Sequence, residues 1–365
     1  MPRPQALVTR LATHLALASD VWSPWSTFDS PRFARWHAQT VNNLADGLQP
    51  QAIRLGSRLD WRRPPWLLEL VRNHSQPHHA TQWALRPTWD HAVSDVEGML
   101  LALQYLSAPT SPEPDPHEPP QNTFVSASHP NRTSVLQAFA KRLATQSHRH
   151  TVQAGPGTTA VDWTWLADLA DLQAASKRAA HHGLSMREFV LLVSVQAFQR
   201  YQQACGSPCA FDVLCPSYSL RAQYGTAPEL GNHFRRAVRF SFEPNTNLIP
   251  AIRRQSQTGH AIPYRAYGVL GRLPAPLARK VLRRLPPLIV NWDDPHHAER
   301  FSQIAGAQVQ NIALAAPLLP YQHCSFIWWV RGGQLHCSLT TDRALVPEVT
   351  PLVAALRQTL APPMY

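Results

Sequence analysis

The sequence predicts a mixed α/β chain, α+β in its sheet order, large enough for two lobes. Three observations carry that reading. Strand and helix patterns are interspersed along the whole chain. One long internal stretch is too rich in proline to be either. A short strand, a tight corner and a helix follow one another over residues 83–106.

Taken in order, the first segment reads as a helix. Met1–Arg10 is basic, and Leu11–Ala18 is mildly apolar but broken by His14, with no small-residue cleavage pattern after it, so it does not read as a secretory leader. Trp22, Trp25 and Trp36 mark an irregular tryptophan-rich stretch. Trp83–Trp89 reads as a strand and Glu97–Leu106 as a helix, with Ser94 and Glu97 spaced as a capping box at its start. From Ser107 to Pro130 the chain carries Pro109, Pro112, Pro114, Pro116, Pro119, Pro120 and Pro130 among Ser, Asp and Glu, which excludes helix and central strand alike. The chain therefore divides into a first lobe at 1–106, a linker at 107–130 and a second lobe at 131–365.

The second lobe opens its strongest helix at Met186. Ser185 and Glu188 again have capping-box spacing, and the run to Tyr201 is apolar on nearly all sides, as expected of a helix buried between layers. Ala210–Cys215 reads as a buried strand and Arg236–Phe242 alternates like one. Ser325–Val330 and Gln334–Thr340 flank Gly332-Gly333, a hairpin signature, and Val349–Leu360 reads as a closing amphipathic helix.

Composition narrows the function. Of 365 residues, 44% are hydrophobic and 16% charged, which is globular, and no apolar run reaches the ~20 residues that span a bilayer. The five Cys are an odd number, and Cys205, Cys209 and Cys215 lack a zinc spacing, so buried free thiols in a reducing cytoplasm are expected. A net charge of +11 suits an anionic partner. No zinc-finger, RNA-recognition or helix-turn-helix signature accompanies it, so nucleic acid is not expected. Residues 272–284 combine Leu277, Val281 and Leu282 with Arg279, Lys280, Arg283 and Arg284. That amphipathic basic stretch could meet an acidic protein or lie peripherally on the inner membrane. There is no G-x-S-x-G elbow, phosphate loop or dinucleotide fingerprint. The adjacent His pairs at 78/79, 181/182 and 296/297 have no accompanying carboxylate cluster, so no metal is expected.

The most informative stretch is Asp90-His91-Ala92-Val93-Ser94-Asp95-Val96, a His and an Asp four residues apart at the strand-to-helix corner. A His there is held by backbone on both sides, as a general base requires. The order of further segments extends the pattern: Leu59–Trp66, His182-Gly-Leu-Ser, Pro216–Arg221, Leu230-Gly231-Asn232, Asn291-Trp292, Ala305–Val309 and Thr341–Pro347. In that order, over about residues 55–360, the chain resembles the chloramphenicol acetyltransferase-like superfamily. The nearest branch is that of wax ester synthase/diacylglycerol acyltransferases and condensation domains, with the plant BAHD acyltransferases more distant. Two positions depart from the family pattern. Asp90 replaces the first His of a His-His-x3-Asp-Gly motif, and Val96 replaces its Gly.

The resemblance implies two chloramphenicol acetyltransferase-like lobes with an active-site tunnel between them. It implies acyl transfer from a coenzyme A or carrier-protein thioester to an alcohol or amine, with His91 as base. No cofactor is held permanently; acyl-CoA or a phosphopantetheine thioester is substrate. Asp95 is then a structural support, paired with Arg221. Candidate oxyanion or tunnel groups are the backbone near Val96 or Gly98 and the side chain of Asn291, with Asn232 a further tunnel position; the choice stays open. Asp90 and Val96 also admit a catalytically degenerate member that binds a carrier protein as a scaffold. Condensation-type amide synthesis is a third expectation.

Overall fold

The computed structural model describes residues 36–41, 66–73, 83–89, 161–219, 234–258, 261–263, 276, 286–292, 303–304, 307–316, 318 and 322–361. The N-terminal helix, the helix at 97–106, the proline-rich linker and, apart from Pro276, the basic stretch 272–284 lie outside these residues.

Before the linker, β1 (Trp36–Val41), β2 (Trp66–Asn73) and β3 (Trp83–Trp89) form a three-stranded sheet. β1 runs parallel to β2 and β3 antiparallel to it. The expected strand at 83–89 is therefore present. Among the described residues β3 stands at the sheet's edge, the place in a sheet where a proline such as Pro87 is ordinarily found. β1 falls in the stretch read as irregular, and Trp36, a good strand former, is its first residue.

After the linker the chain builds a seven-stranded mixed sheet. Its members are β4 (Val161–Asp171), β5 (Phe211–Ser219), β6 (Phe234–Phe242), β7 (Ala261–Pro263), β8 (Leu288–Trp292), β11 (Cys324–Arg331) and β12 (Gln334–Asp342). The strand order is β4-β12-β11-β8-β5-β6-β7. β8 is parallel to both β11 and β5; the other pairs are antiparallel. Two short strands, β9 (Gln303–Ile304) and β10 (Ala307–Gln308), form a separate antiparallel pair. At the β11–β12 turn Gly332 and Gly333 both have positive φ, 57° and 71°, the backbone a two-residue hairpin of matching twist requires.

Four helices are described: α1 (Leu172–His181), α2 (Met186–Ala204), α3 (Leu248–Thr258) and α4 (Thr350–Leu360). The expected capping box forms at α2, with Ser185 and Glu188 bonded reciprocally. α2 is buried along most of its length, from Phe189 through Gln202, because apolar residues ring it. On the sheet, Phe326, Trp328 and Val330 alternate toward this helical layer, as do Leu335, Cys337 and Leu339. Each fully buried Val, Leu or Phe contributes about 1.5–3 kcal/mol. The layer is fastened by one polar thread: Trp328 Nε1 donates to Ser194 Oγ at 3.0 Å, and that hydroxyl donates to Val190 O at 2.7 Å. α1 ties the last helix down, since Arg178 donates to the carbonyls of Leu360 and Thr359 at 2.6 and 3.1 Å.

The thiols divide. Cys215, Cys324 and Cys337 are buried as expected, and burial pushes each thiol well up. Cys205 and Cys209 correct that expectation, being exposed and half-buried. Cys205 caps α2, and the chain turns outward at Gly206 with φ of 67°.

Replacing Ser194 with Ala leaves the Trp328 indole N–H buried with no acceptor. This should lower stability by about 1–3 kcal/mol, read as a lower urea midpoint at unchanged slope. Trp328→Phe removes the unmatched N–H along with indole volume, so it should cost less in the Ser194→Ala background than in wild type.

Candidate functional site

Of the residues the sequence nominated, the structure describes Asn291. His91, Asp95, Val96 and Gly98, and likewise Arg221 and Asn232, lie outside the described residues. What is described are the supports on either side. β3 ends at Trp89, so the strand leading to the corner stops immediately before Asp90-His91. β5 ends at Ser219, which pairs with Phe234 at the start of β6. Arg221 and Asn232 thus belong to the single connection, 220–233, between two paired strand ends.

Asn291 occupies β8, a central strand, directly opposite Ile327 of β11. Its strand neighbours Val290 and Trp292 pack with the helical layer, so alternation sets Asn291 on the opposite face of the sheet. It is half-buried there.

That second face is not what its residues predict. It carries Ser325, Ile327 and Trp329 from β11 and His336, Ser338 and Thr340 from β12, in cross-strand pairs Ser325–Thr340, Ile327–Ser338 and Trp329–His336. Trp165 and Trp163 of β4 stand beside Ser338 and Thr340. Polar residues alternating with apolar ones normally face water, yet Ser325, Ser338 and Thr340 are at most 1% exposed and His336 is 3% exposed. Ile312, Ala313, Leu314 and Ala316 pack over Ile327, Trp329 and Trp165. This segment has no regular structure and is strapped down by side chains that reach its carbonyls. Trp163 Nε1 donates to Leu314 O at 3.3 Å, and Arg331 donates to Gln310 O at 2.9 Å and to Val309 O. The hydroxyls of Ser325, Ser338 and Thr340 find no hydrogen-bond partner among the described residues, and neither do Trp165 Nε1, Trp329 Nε1 and His336 Nδ1. The His336 ring stacks on Trp329 with centroids 5.6 Å apart, and its Nε2 lies 3.3 Å from Arg331 O. The same nitrogen is 3.8 Å from the carboxylate of Asp168, which sits at an irregularity in the β4–β12 ladder with φ of 49°.

The sequence reading did not single out this polar row. Its only local sign is the strict alternation in Gln334–Thr340, which also describes an ordinary half-exposed strand.

The His182-Gly183-Leu184-Ser185 stretch resolves into a joint between two helices. Gly183 N–H bonds Ala180 O and Leu184 N–H bonds Ala179 O, a Schellman end to α1, with Gly183 at φ of 60°. Two residues on, Ser185 starts α2. The Arg253 guanidinium from α3 donates to His182 O and fills the space a side chain at position 183 would need. His182 is held below its usual value by partial burial and by the charges of His181, Arg178 and Arg253. At Glu188 burial pushes upward, but bonds from Ser256 and Ser185 and the charge of Arg253 outweigh it, leaving the carboxyl lower than usual.

Among the described residues, no group of three His, Cys, Asp or Glu gathers where it could hold a metal ion. No described helix is long and apolar enough to cross a membrane.

No protein-family profile matches the sequence, and no curated protein matches it. Solved structures do match the fold. The condensation domain of chain release from the enacyloxin polyketide synthase aligns over 96% of this chain and 77% of its own, at 16% identity and a TM-score of 0.52. The X-domain from teicoplanin biosynthesis aligns over 98% of this chain and 88% of its own, at 12% identity and a TM-score of 0.55; a structure of that X-domain with OxyB also matches. The wax ester synthase/diacylglycerol acyltransferase from Marinobacter aquaeolei VT8 aligns over 89% of this chain and 78% of its own, at 14% identity and a TM-score of 0.52. The chain has the condensation-type, chloramphenicol acetyltransferase-like fold that the order of its motifs implied.

Because Glu188 has a lowered folded value, its contribution to stability is complete above the ordinary 4.5 and is lost as pH falls through the folded value. Wild-type stability should therefore drop more steeply below that pH than the stability of Glu188→Gln. Parallel urea titrations at successive pH values measure the difference, and equal slopes would remove Glu188 from the acid response.

Proposed function

We propose that this chain, built on the fold shared by condensation domains and a wax ester synthase, is an acyltransferase using His91 as its base. The observation that carries the reading is the pairing of that fold with an intact strand, β3, ending directly before Asp90-His91. Fold alone hosts many activities, so the residues must supply the chemistry. An alcohol or amine attacks the thioester carbonyl, forming a carbon–oxygen or carbon–nitrogen bond. His91 takes the proton the nucleophile sheds. The tetrahedral intermediate then expels the thiol, which leaves with that proton, and no acyl-enzyme forms. Holding both substrates in one passage supplies much of the rate through proximity. Asp95 pairs with Arg221 and pins the corner that aims His91; breaking a buried pair of this kind costs about 3–5 kcal/mol. The oxyanion is met by backbone near Val96 or Gly98, or by Asn291.

The donor is an acyl group on coenzyme A or on an acidic carrier protein, either of which suits a chain of net charge +11. The acceptor is an alcohol, or an amine in a condensation-type variant. The basic stretch 272–284 is a docking surface for the carrier or for an anionic membrane, which fits a cytoplasmic chain.

A second reading is favoured by Asp90 and Val96. Val resists the backbone geometry a Gly there allows, and a binding platform beside active enzymes needs no competent corner. The teicoplanin X-domain, seen with OxyB, shows that protein of this fold engaging a partner.

In an assay with acyl thioesters and candidate alcohols and amines, His91→Ala should lower turnover by about 10²–10⁴-fold while leaving the fold intact. Asp95→Ala should lower both activity and thermal stability. Equal turnover by wild type and His91→Ala would end the role of His91. Carrier binding without turnover, in wild type and Val96→Gly alike, would favour the platform.

A further inference from the structure

The buried polar row on the second face of the larger sheet is the feature that neither packing nor the base chemistry explains. Ser325, Ser338 and Thr340 are at most 1% exposed and form one contiguous patch, since Ser325 pairs with Thr340 and Ser338 lies two residues along the same strand. Their hydroxyls, with Trp165 Nε1, Trp329 Nε1 and His336 Nδ1, have no partner among the described residues. Each such group left unmatched costs stability, and apolar residues of the same shape would not. Among the described residues, the α2-facing side already supplies an extensive apolar core and encloses a single unpartnered hydroxyl, that of Thr341, whereas this face encloses three.

We propose that this row is an acceptor subsite for a neutral, polyhydroxylated molecule, a polyol or sugar-bearing alcohol. The chemistry of the row specifies that class. The two indole N–H groups can only donate and need oxygen acceptors. The three hydroxyls both donate and accept, matching groups that do the same. Ser325, Ser338, Thr340, Trp165 and Trp329 carry no charge; beside them stand the Asp168 carboxylate, 3.8 Å from His336 Nε2, and the Arg331 guanidinium, which is spent on the carbonyls of Gln310 and Val309. Beneath the 309–316 cover, Trp165 and Ile327 supply apolar surface of the kind that the C–H faces of a sugar cover, while the His336 ring already stacks on Trp329. A long aliphatic alcohol, with one hydroxyl, could match at most three of the six polar atoms. Asn291 lies on the same face, directly across from Ile327. The 309–316 segment, irregular and tied down through its carbonyls, is the cover that must yield for the ligand to enter. This inference rests on the transferase reading for the word acceptor, but not for binding.

The experiment measures binding and turnover separately on the full chain. Wild type, Thr340→Val, Ser338→Ala and, as an independent third, Ser325→Ala are titrated with myo-inositol and methyl glucoside, and their melting temperatures are recorded with and without ligand. The variants should melt higher than wild type by about 2–4 °C without ligand, and should bind the polyols about tenfold more weakly. Acylation of 1-octanol by wild type reports the transferase separately from polyol binding. If the variants melt lower and bind polyols as wild type does, the hydroxyls are structural and the proposal fails. An equal rise in melting temperature for all proteins on adding polyol is the general effect of an excluded solute and also overturns it. Octanol acylated by every form while no polyol binds would remove the subsite and keep the transferase. Polyol binding that depends on the hydroxyls, without acyl transfer to any acceptor, would keep the subsite and remove the transferase.

Discussion

The seating of α2 against the middle of the seven-stranded sheet is the interaction on which the rest of the described structure depends. The helix is enclosed from Phe189 to Val195 and again at Ala197, Phe198, Tyr201 and Gln202, and it exposes a short polar stripe toward its C-terminal end, at Arg200 and Gln203. Trp328 is the residue that fixes where. It is fully buried, and its indole nitrogen reaches Ser194, which in turn bonds within the helix. Dispersion and burial supply the magnitude of this contact, while the one hydrogen bond adds a directional link that a shifted packing would lose.

With one face of the sheet committed in this way, the other is released from the task of holding the fold together. β12 shows the division along a single strand: Leu335, Cys337 and Leu339 pack in the core, and His336, Ser338 and Thr340 face the other side. Functional sites often break the rules that the surrounding structure obeys, and the unmatched hydroxyls are such a break. The joint at His182–Ser185 is the opposite case. It belongs to the set of motifs that carried the family resemblance, yet its atoms are fully occupied in ending one helix and starting the next. Its recurrence in the pattern reflects folding, and no catalytic task need be assigned to it.

The likeness to condensation domains, an X-domain and a wax ester synthase is a likeness of fold at 12–16% identity. Proteins this far apart can keep the sheet order while exchanging side chains at nearly every site. What this chain does is therefore argued from its own corner at Asp90-His91 and from the face that carries Asn291.

The sequence by itself determined the local elements with strong internal signals: the capped helix after Ser185, the hairpin around Gly332-Gly333, the strand before His91, and the mixed class. Each of these is written within one short segment, as a period, a cap or a turn that needs no distant partner. The strand from Val161 to Asp171 and the helix after it went unread. There Asp171 both ends the strand and caps the helix, so one residue carries the signal for two elements. Only the tertiary structure decided that Leu288–Trp292 runs parallel between β5 and β11, since such pairing joins residues far apart in the chain. It alone decided, too, that the polar side of β12 faces the interior, because alternation is the same in a strand half-open to water and in one whose polar face is enclosed.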